Sequence, residues 1–254
     1  MKKTITLVVL ALFFVACKED KKDKTMSGDD TIMEKEENIQ KPKDEWIVLF
    51  DGTSFDSWEV YPDKEITEDW VIEDGAMVLR TEGYRKDGER FNLVTKRTFN
   101  SFVLSLEWRV SEGANSGVMW GVKSDPKHLE PYATGPEIQV LDNINHPDAK
   151  NGINHQAGSL YDMVAPTKDV TKPIGEWNSY LVTIDQKNNQ GSVVLNGEKI
   201  VEFPVNGPEW DKMVADSKFA DWPDFGKYRT GKIALQDHGE AIPIAYRNIK
   251  IKEL

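Results

Sequence analysis

Phe102-Val103-Leu104-Ser105-Leu106-Glu107-Trp108-Arg109-Val110 decides the fold. Apolar side chains fall at every second place. Phe102, Leu104, Leu106, Trp108 and Val110 point one way, while Val103, Ser105, Glu107 and Arg109 point the other, which is the period of a strand buried on one face. Upstream, Trp70-Val71-Ile72-Glu73-Asp74-Gly75-Ala76-Met77-Val78-Leu79 reads as a hairpin closed by an Asp-Gly turn. Asn196-Gly197 closes a second, between Ser192–Leu195 and Lys199–Phe203. Further short strands are expected at 47–50, 117–122, 137–141, 180–185, 232–236 and 246–252. Only Glu209–Phe219, with Trp210, Met213, Val214 and Ser217 at helical spacing, reads as a short helix. Many short strands with turn signals and no long helical period predict an antiparallel β-sandwich and not a βαβ fold. The connections 123–136, 142–160 and 204–230 are long for a β-protein, and loops of that length are often functional.

Composition narrows the function. The chain has 254 residues and a net charge of −11, so it lacks the basic surface that a general grip on nucleic acid needs. Its only cysteine, Cys17, excludes internal disulfides, cysteine zinc clusters and a cysteine nucleophile in the folded body. Four histidines without an HExxH motif offer no zinc-protease signature.

That cysteine has a different reading. Lys2 and Lys3 precede the apolar run Ile5–Ala16, which ends at Phe14-Val15-Ala16-Cys17 and turns charged at Lys18-Glu19-Asp20. The run is short for a membrane span and fits a signal peptide over 1–16. Its end resembles the lipobox of bacterial lipoproteins, with Phe14 where that pattern usually has Leu. The resemblance implies export, lipidation of Cys17 and anchoring to the bacterial envelope, with the outer membrane expected, on its periplasmic side or at the cell surface. Residues 17–45 are poor in large apolar side chains and read as a disordered tether. The folded body is expected over 46–254 as one domain.

Strand phase selects candidate site residues. Glu107 and Arg109 share the polar face of one strand, and Glu137 and Gln139 share a face of another. Solvated outer faces explain them equally well; a curved sheet with a polar concave face, the way jelly rolls hold sugars, is the functional alternative. In Lys232-Ile233-Ala234-Leu235-Gln236-Asp237-His238-Gly239, Gln236 and His238 fall opposite the core side. His238 at a strand end, beside Asp237, is a candidate acid–base group. Asp237 can orient it only if the backbone turns, because adjacent strand residues face opposite ways. Asn115-Ser116-Gly117 reads as a turn feeding a strand. His146, His155 and the Asp and Asn residues of 142–151 offer donors for a divalent cation, at a spacing that fits no EF-hand loop.

Several motifs occur in order: Leu49-Phe50-Asp51-Gly52 with Trp58; Arg109-Val110 with Asn115-Ser116-Gly117-Val118; Gly135-Pro136-Glu137-Ile138-Gln139-Val140-Leu141-Asp142; Gly175-Glu176-Trp177-Asn178; Leu195-Asn196-Gly197; and Leu235-Gln236-Asp237-His238-Gly239 with Arg247-Asn248-Ile249-Lys250-Ile251. Each is weak alone, and the ordered set resembles the 3-keto-disaccharide hydrolase family, once named only as a domain of unknown function. The likeness runs over about 46–254, and Trp210–Gly226 resembles an insertion found in many members. It implies a concanavalin-A-like jelly-roll sandwich and activity on sugars oxidised at carbon 3. The family's marked polar positions fall on Glu107, Arg109, Glu137, Gln139, Asp237 and His238. For elimination followed by hydration, His238 is the first choice of base, with Asp237 as its orienting partner. Glu137 is the other base or the acid, and Arg109 or a bound cation is the group for the enolate. Glu107, Arg109 and Gln139 are the substrate-binding candidates. Two other readings stay open at this point: a glycoside hydrolase using Glu107 and Glu137 as a carboxylate pair, and a non-catalytic carbohydrate-binding surface lipoprotein. Whether Glu137 and His238 share one pocket separates them.

Overall fold

The computed structural model describes residues 45–66, 68–80, 89–240 and 242–254. The signal peptide, Cys17 and nearly all of the expected tether lie outside the described residues. Two antiparallel sheets form a jelly-roll sandwich. The first contains β1 (Ile47–Phe50), β3 (Trp70–Glu73), β4 (Ala76–Leu79), β6 (Phe102–Val110), β9 (Asn178–Asp185), β10 (Gln190–Leu195), β11 (Glu198–Phe203) and β13 (Ile244–Glu253). Its order is β11-β10-β9-β6-β13-β4-β3, with β1 also on β13. The second contains β2 (Trp58–Val60), β5 (Leu93–Thr95), β7 (Asn115–Val122), β8 (Glu137–Leu141) and β12 (Lys232–Leu235), in the order β2-β5-β12-β7-β8.

The period-2 pattern of β6 sets the core. Its five apolar residues are each at most 6% exposed and pack with Val118 and Trp120 of β7, Ile138 and Val140 of β8, and Ile233 and Leu235 of β12. Both tight hairpins have the backbone their sequences demand. Asp74-Gly75 has φ of 49° and 72°, and Asn196-Gly197 has 51° and 87°, the left-handed pair of a type I′ turn that Gly and Asn or Asp adopt at least cost. The helix α1 spans Gly207–Ala215, shorter than the expected 209–219. It carries Trp210 into the core beside Trp120. Beyond it the chain turns back, which frees residues 218–225 to reach the outer face of the five-stranded sheet.

That outer face is where the site lies. Asn115, Gly117 and Met119 of β7, Glu137 and Gln139 of β8 and the even-numbered residues of β12 point away from the sandwich core, whereas Leu141 packs in it; a register shift between β7 and β12 brings Val122 to the outer face as well. The register pairs Gly117 with Gln139 and Met119 with Glu137, so these side chains share one face. Asn115-Ser116-Gly117 is strand and not turn. Part of the face is closed by a second apolar cluster of Tyr61, Val94, Met119, Val122 and Ala234. The remainder is open to the cleft.

Candidate active site

Glu137 and His238 line one cleft of about 200 Å³ on this face, together with Gln139, Asn115, Gln236 and Arg90. The floor is polar and comes from β7, β8 and the end of β12. The wall is aromatic and comes from the long connections: Tyr132, Tyr161, Phe219, Trp222 and Phe225, with Lys218.

Glu137 enters the cleft over a glycine. A Cβ on Gly117 would stand 1.8 Å from Glu137 Oε1, so the bare backbone is what makes room for the carboxyl. The opposite edge of β8 is covered by the segment before Tyr161. Gln139 N–H donates to Ser159 O at 3.1 Å, and Tyr161 N–H donates to Glu137 O at 3.0 Å. Glu137 is 8% exposed. Burial pushes its carboxyl up to about 8, against the pull of the Lys218 ammonium. Asn115 Oδ1 and Gln236 Oε1 are buried and have no hydrogen-bond partner among the described residues. Acceptors of that kind are costly to leave unpaired and suit a ligand rich in hydroxyl groups. Gln139 is 1% exposed, and its side-chain oxygen accepts from Val140 N–H at 3.1 Å.

His238 sits on the turn after β12. Its carbonyl accepts from Arg90 Nε at 3.1 Å. Its Nδ1 lies 3.2 Å from Glu240 Oε1. Burial moves His238 below its ordinary value and the Arg90 charge adds to this, while Glu240 opposes it. Arg90 also donates to Tyr132 Oη at 3.1 Å and so ties the floor to the wall. On the far side, Tyr161 Oη donates to Asp148 Oδ2 at 2.9 Å, and Lys218 Nζ stands 4.0 Å over the Tyr161 ring. Lys218 N–H donates to Asp162 Oδ2 at 2.7 Å, which joins the connection after α1 to the loop after β8.

The other expected residues are placed elsewhere. Glu107 and Arg109 lie on the outer face of the eight-stranded sheet, away from the cleft. Glu107 Oε2 accepts from Arg247 Nε at 2.5 Å, and the Arg109 guanidinium stands 4.7 Å from the Trp177 ring centre. The two polar faces noticed in the sequence belong to different sheets and look outward in opposite directions, so Glu107 and Glu137 do not form a carboxylate pair across one bond. Asp237 is fully buried. Its carboxylate accepts from Phe91 N–H at 2.9 Å and Gly239 N–H at 3.0 Å, which pins the turn that carries His238. The carboxylate 3.2 Å from the His238 ring is that of Glu240, which the sequence reading missed.

The loop proposed for a cation spends its groups separately. His146 faces Glu240, while His155 faces Asp148 and Asp162. Asp142 accepts from Gly113 N–H and Ile144 N–H. Among the described residues no group of three or more His, Cys, Asp or Glu side chains is arranged to hold a metal ion. Arg90, Lys218 and the aromatic wall were also missed as individual residues. Their only signal was the length of the connections that carry most of them.

With this geometry fixed, comparison with known proteins is decisive. The model of the 3-keto-alpha-glucoside-1,2-lyase-like domain matches residues 45–252. The chain belongs to that family. A 3-keto-disaccharide hydrolase from Bacteroides thetaiotaomicron is 36% identical over 244 residues, covering 86% of this chain and 82% of the relative. A crystal structure of a putative glycosyl hydrolase from Parabacteroides distasonis superposes with a TM-score of 0.73 at 30% identity, over 82% of this chain and 94% of that one. A second from the same organism gives 0.61 at 26% identity, over 83% of this chain and all of its own length. The family membership and these relatives make the chain a carbohydrate-active enzyme of the hydrolase or lyase kind, on the jelly-roll sandwich described above.

Proposed function

We propose that this enzyme cleaves the glycosidic bond of glycosides already oxidised at carbon 3, by elimination and then hydration. The observation that carries this reading is a pair of opposed shifts in one cleft. Glu137 is raised to about 8 and His238 is lowered. At neutral pH the carboxyl keeps its proton and the imidazole is free of its second. Groups pushed apart in this way mark the acid and the base.

The chemistry then balances. A carbonyl at carbon 3 acidifies the hydrogen on carbon 2, and His238 takes it. The electron pair forms the bond between carbons 1 and 2 as the bond from carbon 1 to the aglycone oxygen breaks. Glu137 gives that oxygen its proton. Water then adds its hydroxyl to carbon 1, and carbon 2 regains a proton. Arg90 and Lys218, the cations of the cleft, are the groups available to the negative charge that develops on the carbon-3 oxygen. This replaces the enolate role expected of Arg109. Asn115, Gln139 and Gln236 supply amides for sugar hydroxyls, and the rings of the wall supply faces for stacking. We extend the proposal to location: lipidation at Cys17 would hold the enzyme at the envelope.

The test uses a 3-keto-glucoside and its unoxidised parent in deuterated water. Release of aglycone from the keto sugar alone, with deuterium at carbon 2 of the product, is expected. Robust cleavage with the original hydrogen retained at carbon 2 would overturn the elimination route.

A further inference from the structure

We propose that Glu240 is the positioning carboxylate of this cleft: held from behind by His146, it keeps the ring proton of His238 on Nδ1 and leaves Nε2 as the basic nitrogen. The proposal rests on the reading of His238 as the base.

The protons can be followed along the chain of contacts. His146 Nδ1 accepts from Asp148 N–H at 3.1 Å, so that nitrogen carries no proton in the neutral ring. The proton of His146 is therefore on Nε2, which faces Glu240 Oε1 and Oε2 at 3.1 and 3.2 Å. His146 has a buried side chain, 5% exposed, so its donor is fixed in place. One carboxylate thus stands between two imidazoles, whose rings meet edge to face at 88° with centres 6.1 Å apart.

Nδ1 of His238 is itself buried, although the side chain as a whole is 38% exposed. The open part of the ring is therefore its other edge, where Nε2 lies. At 3.2 Å from Glu240 Oε1, Nδ1 is in reach of an acceptor without the alignment of a full hydrogen bond. Contacts of this kind tighten when substrate binds. A carboxylate behind an imidazole fixes its tautomer and orientation. Asp237 does a different job, holding the backbone of the same turn.

Glu240→Leu is the informative change. Both imidazoles face Oε1, so a Gln oxygen in that place would still accept from both, whereas Leu offers no acceptor. Nδ1 then loses its partner, and the His238 proton moves to the solvent-facing Nε2, the wrong nitrogen for a base. We expect kcat on a 3-keto-glucoside to fall ~10–10²-fold with KM within about threefold. Nitrogen-15 spectra of the labelled protein should show His238 as the Nδ1–H tautomer natively and as the Nε2–H tautomer in E240L. His146→Gln keeps a donor near the place of Nε2–H and should retain kcat within about threefold, whereas His146→Phe should lose as much as E240L. An Nε2–H tautomer in the native protein, or unchanged kcat in E240L, would overturn the proposal. Full activity in His238→Ala would instead overturn the functional reading, and the native tautomer would still report on Glu240.

Discussion

Replacing Glu137 by Gln should cost activity and add stability, and the pH dependence of that gain tests whether the carboxyl is held neutral. In the folded protein burial lifts the group from 4.5 to about 8. In the unfolded chain it titrates near its ordinary value. Below pH 4.5 both states hold the proton and burial of the group brings no ionisation penalty. As the pH rises through the interval, the unfolded chain releases the proton and the folded one keeps it. Folding stability then falls by about 1.4 kcal/mol per pH unit. The loss is complete once the folded group ionises near 8. At pH 7, part-way through that interval, the loss amounts to about 3 kcal/mol, which is an upper bound. Gln carries no such term. We expect E137Q to exceed the native protein by ~1–3 kcal/mol at pH 7, about 2–10 °C in melting temperature for a domain of this size. The excess should shrink toward zero at pH 4.5. Turnover of a 3-keto-glucoside should fall ~10²–10⁴-fold, because the amide has no acidic proton to give. Urea unfolding followed by tryptophan fluorescence across this pH range, beside steady-state rates, measures both. A variant no more stable than the native protein at any pH, or a gain that does not grow with pH, would show that Glu137 is ionised in the fold and is not the proton donor.

Other outcomes follow from the same geometry. His238→Ala should lower the rate on a keto-glycoside by ~10²–10⁴-fold and leave the circular dichroism spectrum unchanged, because the side chain is 38% exposed at the cleft and not in the core. Gly117→Ala puts a methyl 1.8 Å from Glu137 Oε1; kcat/KM should fall ~10-fold or more, read by the same assay. Glu107→Gln and Arg109→Ala lie on the far face of the other sheet and should leave kcat/KM within about threefold, so a larger loss would tie that face to the reaction. Cys17→Ser should abolish labelling by a fatty-acid probe in cells, and equal labelling of both proteins would remove the anchor from the picture.

Strand phase was legible because a half-buried strand writes its geometry into every second residue. Phe102–Val110 and the Asp74-Gly75 and Asn196-Gly197 turns therefore read correctly. Trp58–Val60 and Leu93–Thr95 have three residues each, too few for a period to show. Phase also grouped Glu137 with Gln139, and Gln236 with His238. It could not say which sheet a strand joins. The polar faces of β6 and β8 look alike in one dimension, yet the sandwich turns them in opposite directions, and Glu107 and Arg109 fall away from the cleft for that reason. Sequence proximity misled in the same way at the histidine. Asp237 is adjacent to His238 and so projects to the other side of the chain. Glu240 comes back to the ring only because the turn at Gly239, with φ of 89°, reverses the backbone. The aromatic wall was visible only as loop length, since the fold-back after α1 depends on Trp210 finding Trp120.

One residue joins these levels. Gly117 looks like turn punctuation in the sequence, but it stands inside β7, where a glycine normally weakens a strand. Its missing side chain is the space that Glu137 occupies. A carboxyl pressed against bare backbone under an aromatic wall loses its water, and that loss keeps its proton in place at neutral pH. The strand tolerates a poor strand former, and the fold tolerates a buried acid, at the same point. Both concessions lower stability, and both are what a proton donor for a leaving group requires. The functional reading thus stands or falls on the pairing of Gly117 with Glu137 as much as on His238.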